Sequence, residues 1–402
     1  MGPVERREVV VVGGGPAGAA VAIGLARRGR DVLVLERAPS WHWRACGVFT
    51  SPAAIAALRR LGLEATELEA VARPVPAMRV ETASGTRFRL TYGDDGSLRS
   101  PAVGLDRSRL DPLLLARARE AGAEVREGAA VREVEAGEGR VELADGATIE
   151  AAMLVGADGI RSVVARHAGV VRAAVLSPRT GLTFHVADPS PAVARDARMV
   201  VFEGGYVGLA PVPDGRVNVG IVLGRRWRER LRSVGAAGIV GDVLRGIPPA
   251  ADDPVDWATA DGSLCDRIEG AAPIGHRVSR RHGGRWILVG DAAGFLDPFT
   301  GEGLHRALVS AELATRAIDR HLHEDRDALP AYDRAMAARF RAKDAVSLLV
   351  QAFLSRPVLF ERAARRLADR VELRETMGLV MGDQTPASRA LDPRFVADLL
   401  RP

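Results

Sequence analysis

The segment Gly13-Gly14-Gly15-Pro16-Ala17-Gly18 follows an apolar, Val-rich run at residues 8–12 and opens a helical pattern at residues 16–29. In that setting Gly13 permits a tight turn and Gly15 leaves bare backbone where a pyrophosphate would approach. Gly18 lets the helix lie close on the strand, with Ala17 in the same cradle. The free amides and positive dipole end of the helix then face the phosphates. Glu36 ends the next apolar run, 18 residues beyond Gly18, with Arg37 behind it. A carboxylate there can accept hydrogen bonds from an adenosine ribose, and it favours a free 2′-hydroxyl over a 2′-phosphate. The competing reading is a purely structural glycine turn. The fingerprint alone does not separate NAD from FAD.

Two further segments could complete such a site. Gly156-Ala157-Asp158-Gly159, with Arg161 and Ser162, follows an apolar run at residues 153–155, and Asp158 there is either a cofactor ligand or an ordinary Asp-Gly turn. Leu288-Val289-Gly290-Asp291-Ala292-Ala293-Gly294 continues to Asp297-Pro298-Phe299-Thr300-Gly301-Glu302-Gly303. Asp291 ends a buried-strand pattern, where its carboxylate can accept from polyol hydroxyls or cap the helix that follows. Gly301 and Gly303 let backbone come close to a flat ring.

The order and spacing of these three segments resemble the flavoprotein superfamily that includes para-hydroxybenzoate hydroxylase and geranylgeranyl reductases, over nearly the whole chain. The resemblance implies FAD. It assigns cofactor contacts to the first glycine cradle and Glu36-Arg37, to Asp158 and Gly159, and to Gly290, Asp291, Pro298, Gly301 and Gly303. It adds Arg44, in a segment that runs along the cofactor in relatives, and Arg107, which precedes a helix and would lie beside the flavin. Arg44-Ala45-Cys46-Gly47 is similar to the reductase branch, where the cysteine lies at the flavin. Gly294 and His305 stand where hydroxylases commonly carry His and Asn, so Cys46 and His305 are the catalytic candidates. Their competing readings are a small buried hydrophobe for Cys46 and a capping residue for His305. A bulky aromatic common in the family is missing near Gly208 in Tyr206–Pro213, which implies a roomier pocket.

The implied activity is hydride transfer from reduced FAD to an apolar isoprenoid- or polyketide-like substrate. Hydroxylation of an aromatic or polyketide with NAD(P)H and oxygen is the alternative enzyme, and a flavin-binding regulatory protein the alternative from another class. No second nucleotide fingerprint exists, so NAD(P)H would bind transiently or an electron-donor protein would supply electrons.

The expected fold is α/β. A Rossmann-type FAD-binding domain (residues 1–75, 101–172 and 271–330) interleaves with a mostly antiparallel substrate domain (76–100 and 173–270), and C-terminal helices follow (331–402). With 402 residues, 47% of them hydrophobic, a large core is available. Acidic residues number 51 against 56 basic ones and mix with them, so the net charge of +5 gives no nucleic-acid footprint. Lys343 is the only lysine; on an expected surface helix it offers little support for Schiff-base chemistry. Two cysteines without a C-x-x-C pattern and eight histidines without H-E-x-x-H support no metal site. Cys265 is expected to be structural. No membrane span or signal pattern is present, and the expectation is a cytoplasmic protein. A peripheral membrane contact is the alternative to a solvated face for the C-terminal helices, through Leu348, Leu349, Phe353 and Leu359 with arginines at 339, 341, 362, 365, 366 and 370.

Overall fold

The computed structural model describes residues 4–93, 101–174, 178–250 and 253–401. The expected segment edges at residue 100 and near Val175 lie outside them.

Four parallel strands form the centre of the first sheet, in the order Glu124–Glu127, Val32–Glu36, Glu5–Val12, Thr148–Gly156, and the antiparallel strands Arg140–Leu143 and Val131–Glu135 extend it. Trp286–Leu288 joins in parallel beside Thr148–Gly156. Val9, Val10 and Val11 are fully buried. A run without polar alternation is what a strand covered on both faces requires. The helix Pro16–Ala26 crosses one face and packs against Gly303–Leu322, where a Cβ on Gly24 would lie 2.8 Å from Thr315. The helix Arg107–Glu120 begins earlier than its apolar spacing implies, because the Asp106 carboxylate caps it by accepting from the Ser108 amide at 2.9 Å.

The second sheet runs Glu269–Ile274, Arg179–Ala187, Arg216–Leu223, Gly205–Val212, Ala197–Phe202, Ala77–Glu81, Arg87–Thr91. All of its pairs are antiparallel except Ala197–Phe202 with Ala77–Glu81. Its faces alternate as period-2 geometry demands. Phe184, Val207, Val219 and Ile221 point to one side, against Ile239, Val240 and Leu244. Phe184 is fully buried, so truncating it to Ala would cost about 3–5 kcal/mol. Met199, Tyr206, Ala210 and Val222 point to the other side, toward Trp43, Phe299 and the C-terminal helices.

Three expectations are corrected. The strand-rich stretch contains an 18-residue helix, Arg228–Arg245, broken at Gly235 with φ +71°; Gly235, Gly238 and Gly241 hid its periodicity. Lys343, on the helix Ala328–Leu354, is buried rather than on a surface, because Asp383 supplies its counter-charge. Cys265 is exposed rather than packed in a core, with its sulfur 3.9 Å from Ser263 O.

Candidate active site

Val12, Gly156 and Leu288 sit side by side at the carboxyl ends of three adjacent parallel strands, and each of the three sequence motifs starts there. Ligands of open α/β sheets bind at such strand ends. The motifs touch through glycines: a Cβ on Gly13 would lie 2.5 Å from Ala157 O, and one on Gly290 would lie 2.8 Å from the Ala17 Cβ. Gly13 and Gly290 also have φ of +106° and +57°, where side chains are strained. Gly18 is equally constrained, its Cβ position being 2.0 Å from Gly13 O. At Gly15 the same construction meets nothing within 4 Å. The cradle is therefore tight everywhere except at the position facing the expected pyrophosphate.

Glu36 is buried and binds protein first. Its Oε2 accepts from the Gly14 amide at 2.8 Å and its Oε1 from the Ala38 amide at 3.0 Å. Arg44 Nη1 lies 3.9 Å from Oε1, and the buried Arg44 Nε has no hydrogen-bond partner among the described residues. Arg37 is exposed. Asp158 has a structural role: Oδ2 accepts from the Val163 amide at 2.6 Å, while the buried Oδ1 is without a partner among the described residues. Gly159 beside it has φ +77° and open space.

Asp291 does not cap a helix. It lies in the short 3-10 turn Gly290–Ala293, whose N-cap is Val289, and its carboxylate has no hydrogen bond among the described residues. Burial pushes its carboxyl up to about 6, opposed by the charges of Arg107 and Arg306. Arg107 grips Asp111 with two hydrogen bonds of 2.7 and 2.9 Å and donates to Gly47 O at 2.9 Å, which ties the Cys46 segment to the start of the helix Arg107–Glu120. Burial pushes the Cys46 thiol up to about 11, against the nearby Arg107, so it is protonated at neutral pH. Pro298 is exposed, at the start of the short 3-10 turn Pro298–Thr300. Gly301, with φ +65°, lets Phe49 pass 2.6 Å from its Cβ position, and Gly303 starts the helix Gly303–Leu322.

His305 belongs to a buried polar cluster. Its Nδ1 lies 2.9 Å from Asp383 Oδ2, which also accepts from Ser51 Oγ at 2.9 Å, and Lys343 Nζ donates to Asp383 Oδ1 at 2.8 Å. Sequence reasoning missed this cluster and Asp297. Asp297 accepts from Tyr206, Gln351 and Arg179 at 2.6, 2.7 and 2.9 Å. A lone lysine among 55 arginines was the available signal.

An open phosphate face at Gly15, an unpaired carboxylate at Asp291 and an orphaned Asp158 oxygen form a donor-seeking set that fits a polyhydroxylated dinucleotide. Residues 6–215, more than half of the chain, match the family described as FAD binding domain. The chain belongs to this FAD-binding family. It is an FAD-dependent oxidoreductase. The flavoprotein is 33% identical over 335 residues to digeranylgeranylglycerophospholipid reductase 2 of Methanopyrus kandleri, covering 79% of this chain and 78% of that one. It is 30% identical over 331 residues to menaquinone reductase of Mycolicibacterium smegmatis, covering 77% and 75%. A geranylgeranyl bacteriochlorophyll reductase-like protein from Thermoplasma acidophilum shares its fold, with a TM-score of 0.77, 20% identity and 99% of both chains covered.

Ribityl and ribose hydroxyls donating to Asp291 would favour its carboxylate form. With the free carboxyl at about 6, FAD binding below that pH must release a proton. FAD affinity is therefore expected to rise as pH rises from 5 to 6 and to level off above, while Asp291→Asn flattens the profile. Calorimetry across that range tests it, and a flat wild-type profile would remove Asp291 from the cofactor. The linkage for the cofactor-free fold has the opposite sense: a raised carboxyl pKa means stability falls as pH climbs from about 3.9 through the folded value.

Proposed function

We propose that the flavoprotein saturates carbon–carbon double bonds of an isoprenoid substrate. FAD, when bound and reduced, supplies the hydride to one alkene carbon, and the other carbon takes a proton. The observation that carries this reading is the position of Cys46. It is a protonated thiol within the electrostatic reach of Arg107 and Asp291, packed, as Phe299 is, against the hydrophobic cluster that contains Trp43 and Tyr206. Such a wall suits an apolar chain and excludes water from it. The naming of two relatives as a digeranylgeranylglycerophospholipid reductase and a menaquinone reductase supports the same chemistry. NAD(P)H binding transiently, or an electron-donor protein, would reduce the flavin.

The test is anaerobic. Holoprotein reduced with dithionite is mixed with geranylgeraniol and with menaquinone. Flavin reoxidation with gain of one H2 per double bond is expected. A product that forms only with oxygen and gains an oxygen atom would replace the reading by hydroxylation.

Because its thiol is held high, Cys46 should resist iodoacetamide at pH 7.5 while exposed Cys265 is labelled first, and its rate should climb toward pH 11. Peptide mass spectrometry over time distinguishes the two. Fast labelling of Cys46 at neutral pH would mean an activated thiolate instead.

An apolar chain substrate also supports a shallow membrane contact. No helix among the described residues is long and apolar enough to cross a membrane. Val358 is 75% exposed in the first turn of the helix Pro357–Asp369, and Arg356, Arg362 and Arg365 around it are exposed too. Phe353 instead packs inward on the sheet cluster, and Leu348, Leu349 and Leu359 are half-buried. The contact would therefore centre on Val358. Flotation with anionic vesicles at low salt is expected, and equal absence from anionic and neutral vesicles would exclude it.

A further inference from the structure

A carboxylate taken out of water either gathers hydrogen-bond donors or takes up a proton. The acids around the helices Gly303–Leu322 and Ala328–Leu354 gather donors. Asp383 has His305, Ser51 and Lys343, Asp297 has Tyr206, Gln351 and Arg179, and Asp344 has Arg306. Glu302 differs. It is 7% exposed, and its buried Oε2 has no hydrogen-bond partner among the described residues. Lys343 Nζ lies 3.8 Å from that oxygen, beyond hydrogen-bond reach, and is committed to Asp383 and Val380 O at 2.8 and 2.6 Å. Glu302 precedes the first residue of Gly303–Leu322 without capping it. The carboxyl therefore has no structural employment.

Its place is beside the cofactor cradle. The first turn of Gly303–Leu322 packs there, since a Cβ on Gly290 would lie 3.7 Å from the Ala307 Cβ. Arg306 in the same turn acts electrostatically on both Glu302 and Asp291. The other charges facing Glu302 are Lys343 and Asp344 on Ala328–Leu354, and Asp383 beyond Val371–Met381 with His305 bound to it. The strand Phe49–Thr50 brings no charge. Burial pushes the Glu302 carboxyl up, opposed by Lys343 and Arg306. Three buried hydroxyls without partners among the described residues lie on the same segments: Thr50, Thr300 and Ser347, the last one turn beyond Lys343. A hydroxyl both donates and accepts, so it passes a proton on without holding charge.

We propose that Glu302 is the proton store of the flavin cycle, taking up one proton when the cofactor is reduced and giving it to the second alkene carbon when the hydride leaves. Two electrons and one proton from NAD(P)H or a donor protein add one negative charge to the cofactor. A new negative charge nearby favours the protonated carboxyl, so Glu302 takes a proton from solvent and the buried site keeps its net charge. On turnover the hydride forms one C–H bond and the Glu302 proton the other, the double bond is consumed, and oxidised FAD and the carboxylate are restored. The store rests on FAD binding alone; delivery to an alkene rests on the proposed reductase reading.

The experiment is a spectroelectrochemical titration of the holoprotein from pH 7 to 9 without substrate, for wild type, Glu302→Gln and Glu302→Asp. The wild-type midpoint potential should fall with pH at the slope of two protons per two electrons. Glu302→Gln should halve that slope, and Glu302→Asp should regain it. The reduced-minus-oxidised infrared spectrum of wild type should gain a protonated-carboxyl band that Glu302→Gln lacks. Equal slopes in wild type and Glu302→Gln would overturn the store. Absence of the band from wild type would overturn it too, and decides the matter even if Glu302→Gln loses FAD. Anaerobic mixing of the reduced proteins with geranylgeraniol should give at least tenfold slower flavin reoxidation in Glu302→Gln. A wild type with the steep slope and the band that leaves geranylgeraniol unreduced would keep the store and overturn the reductase reading.

Discussion

Gly15→Val is expected to give a folded protein that no longer retains FAD. The Cβ position is open and the backbone there, φ −71° and ψ −179°, is allowed to any residue, so the apoprotein should keep its Tm. The isopropyl group instead fills the phosphate approach at the N-terminus of Pro16–Ala26. Losing two charge-assisted hydrogen bonds at about 1.5–3 kcal/mol each weakens binding by at least about a hundredfold. Gly18→Val makes the contrast. Its Cβ falls 2.0 Å from Gly13 O, so both fold and cofactor should suffer. Flavin absorbance after gel filtration and apoprotein melting separate the two outcomes, and a yellow Gly15→Val protein of undiminished FAD affinity would refute the assignment.

A large stability loss is expected from Lys343→Met. Lys343 Nζ donates to Asp383 and to Val380 O at 2.6 Å inside the packed C-terminal region. Removing the ammonium leaves the Asp383 carboxylate buried, at a cost of about 3–5 kcal/mol. Lys343→Arg is not conservative, because a planar fork cannot copy a compact ammonium with those partners. Burial alone would raise the Asp383 carboxyl, yet His305 and Lys343 hold it well below the usual range. A depressed folded pKa gives stability that is present above the ordinary carboxylate range and lost as pH falls. Urea unfolding at neutral pH measures the effect. A loss under 1 kcal/mol would show that the pair contributes little, and the double variant Lys343→Met/Asp383→Asn, which removes the buried charge with a side chain that tolerates φ +58°, should recover much of the loss.

Period and punctuation in the sequence already specify much of this flavoprotein. The apolar run through Val9–Val11 ending in Gly13, the second run ending at Glu36, and the Gly-Asp segment at 290–291 announce a dinucleotide site because strand, turn and helix are local structures with local signals. The alternating strands from Arg179 to Leu223 announce a sheet for the same reason. Nothing local told that Gly13 meets Ala157, that Gly290 meets Ala17, or that Arg107 reaches Gly47. Those contacts join residues far apart in the chain, and only the packed sheet brings them together. The same holds for Lys343: its spacing on an amphipathic helix suggested solvent, but its burial depends on an aspartate 40 residues away with φ +58°. Burial of a charge is decided by its partner, and a partner is a tertiary fact. Gly208 showed in the sequence only as missing bulk, and cross-strand register alone pairs it with Gly220 on the neighbouring strand.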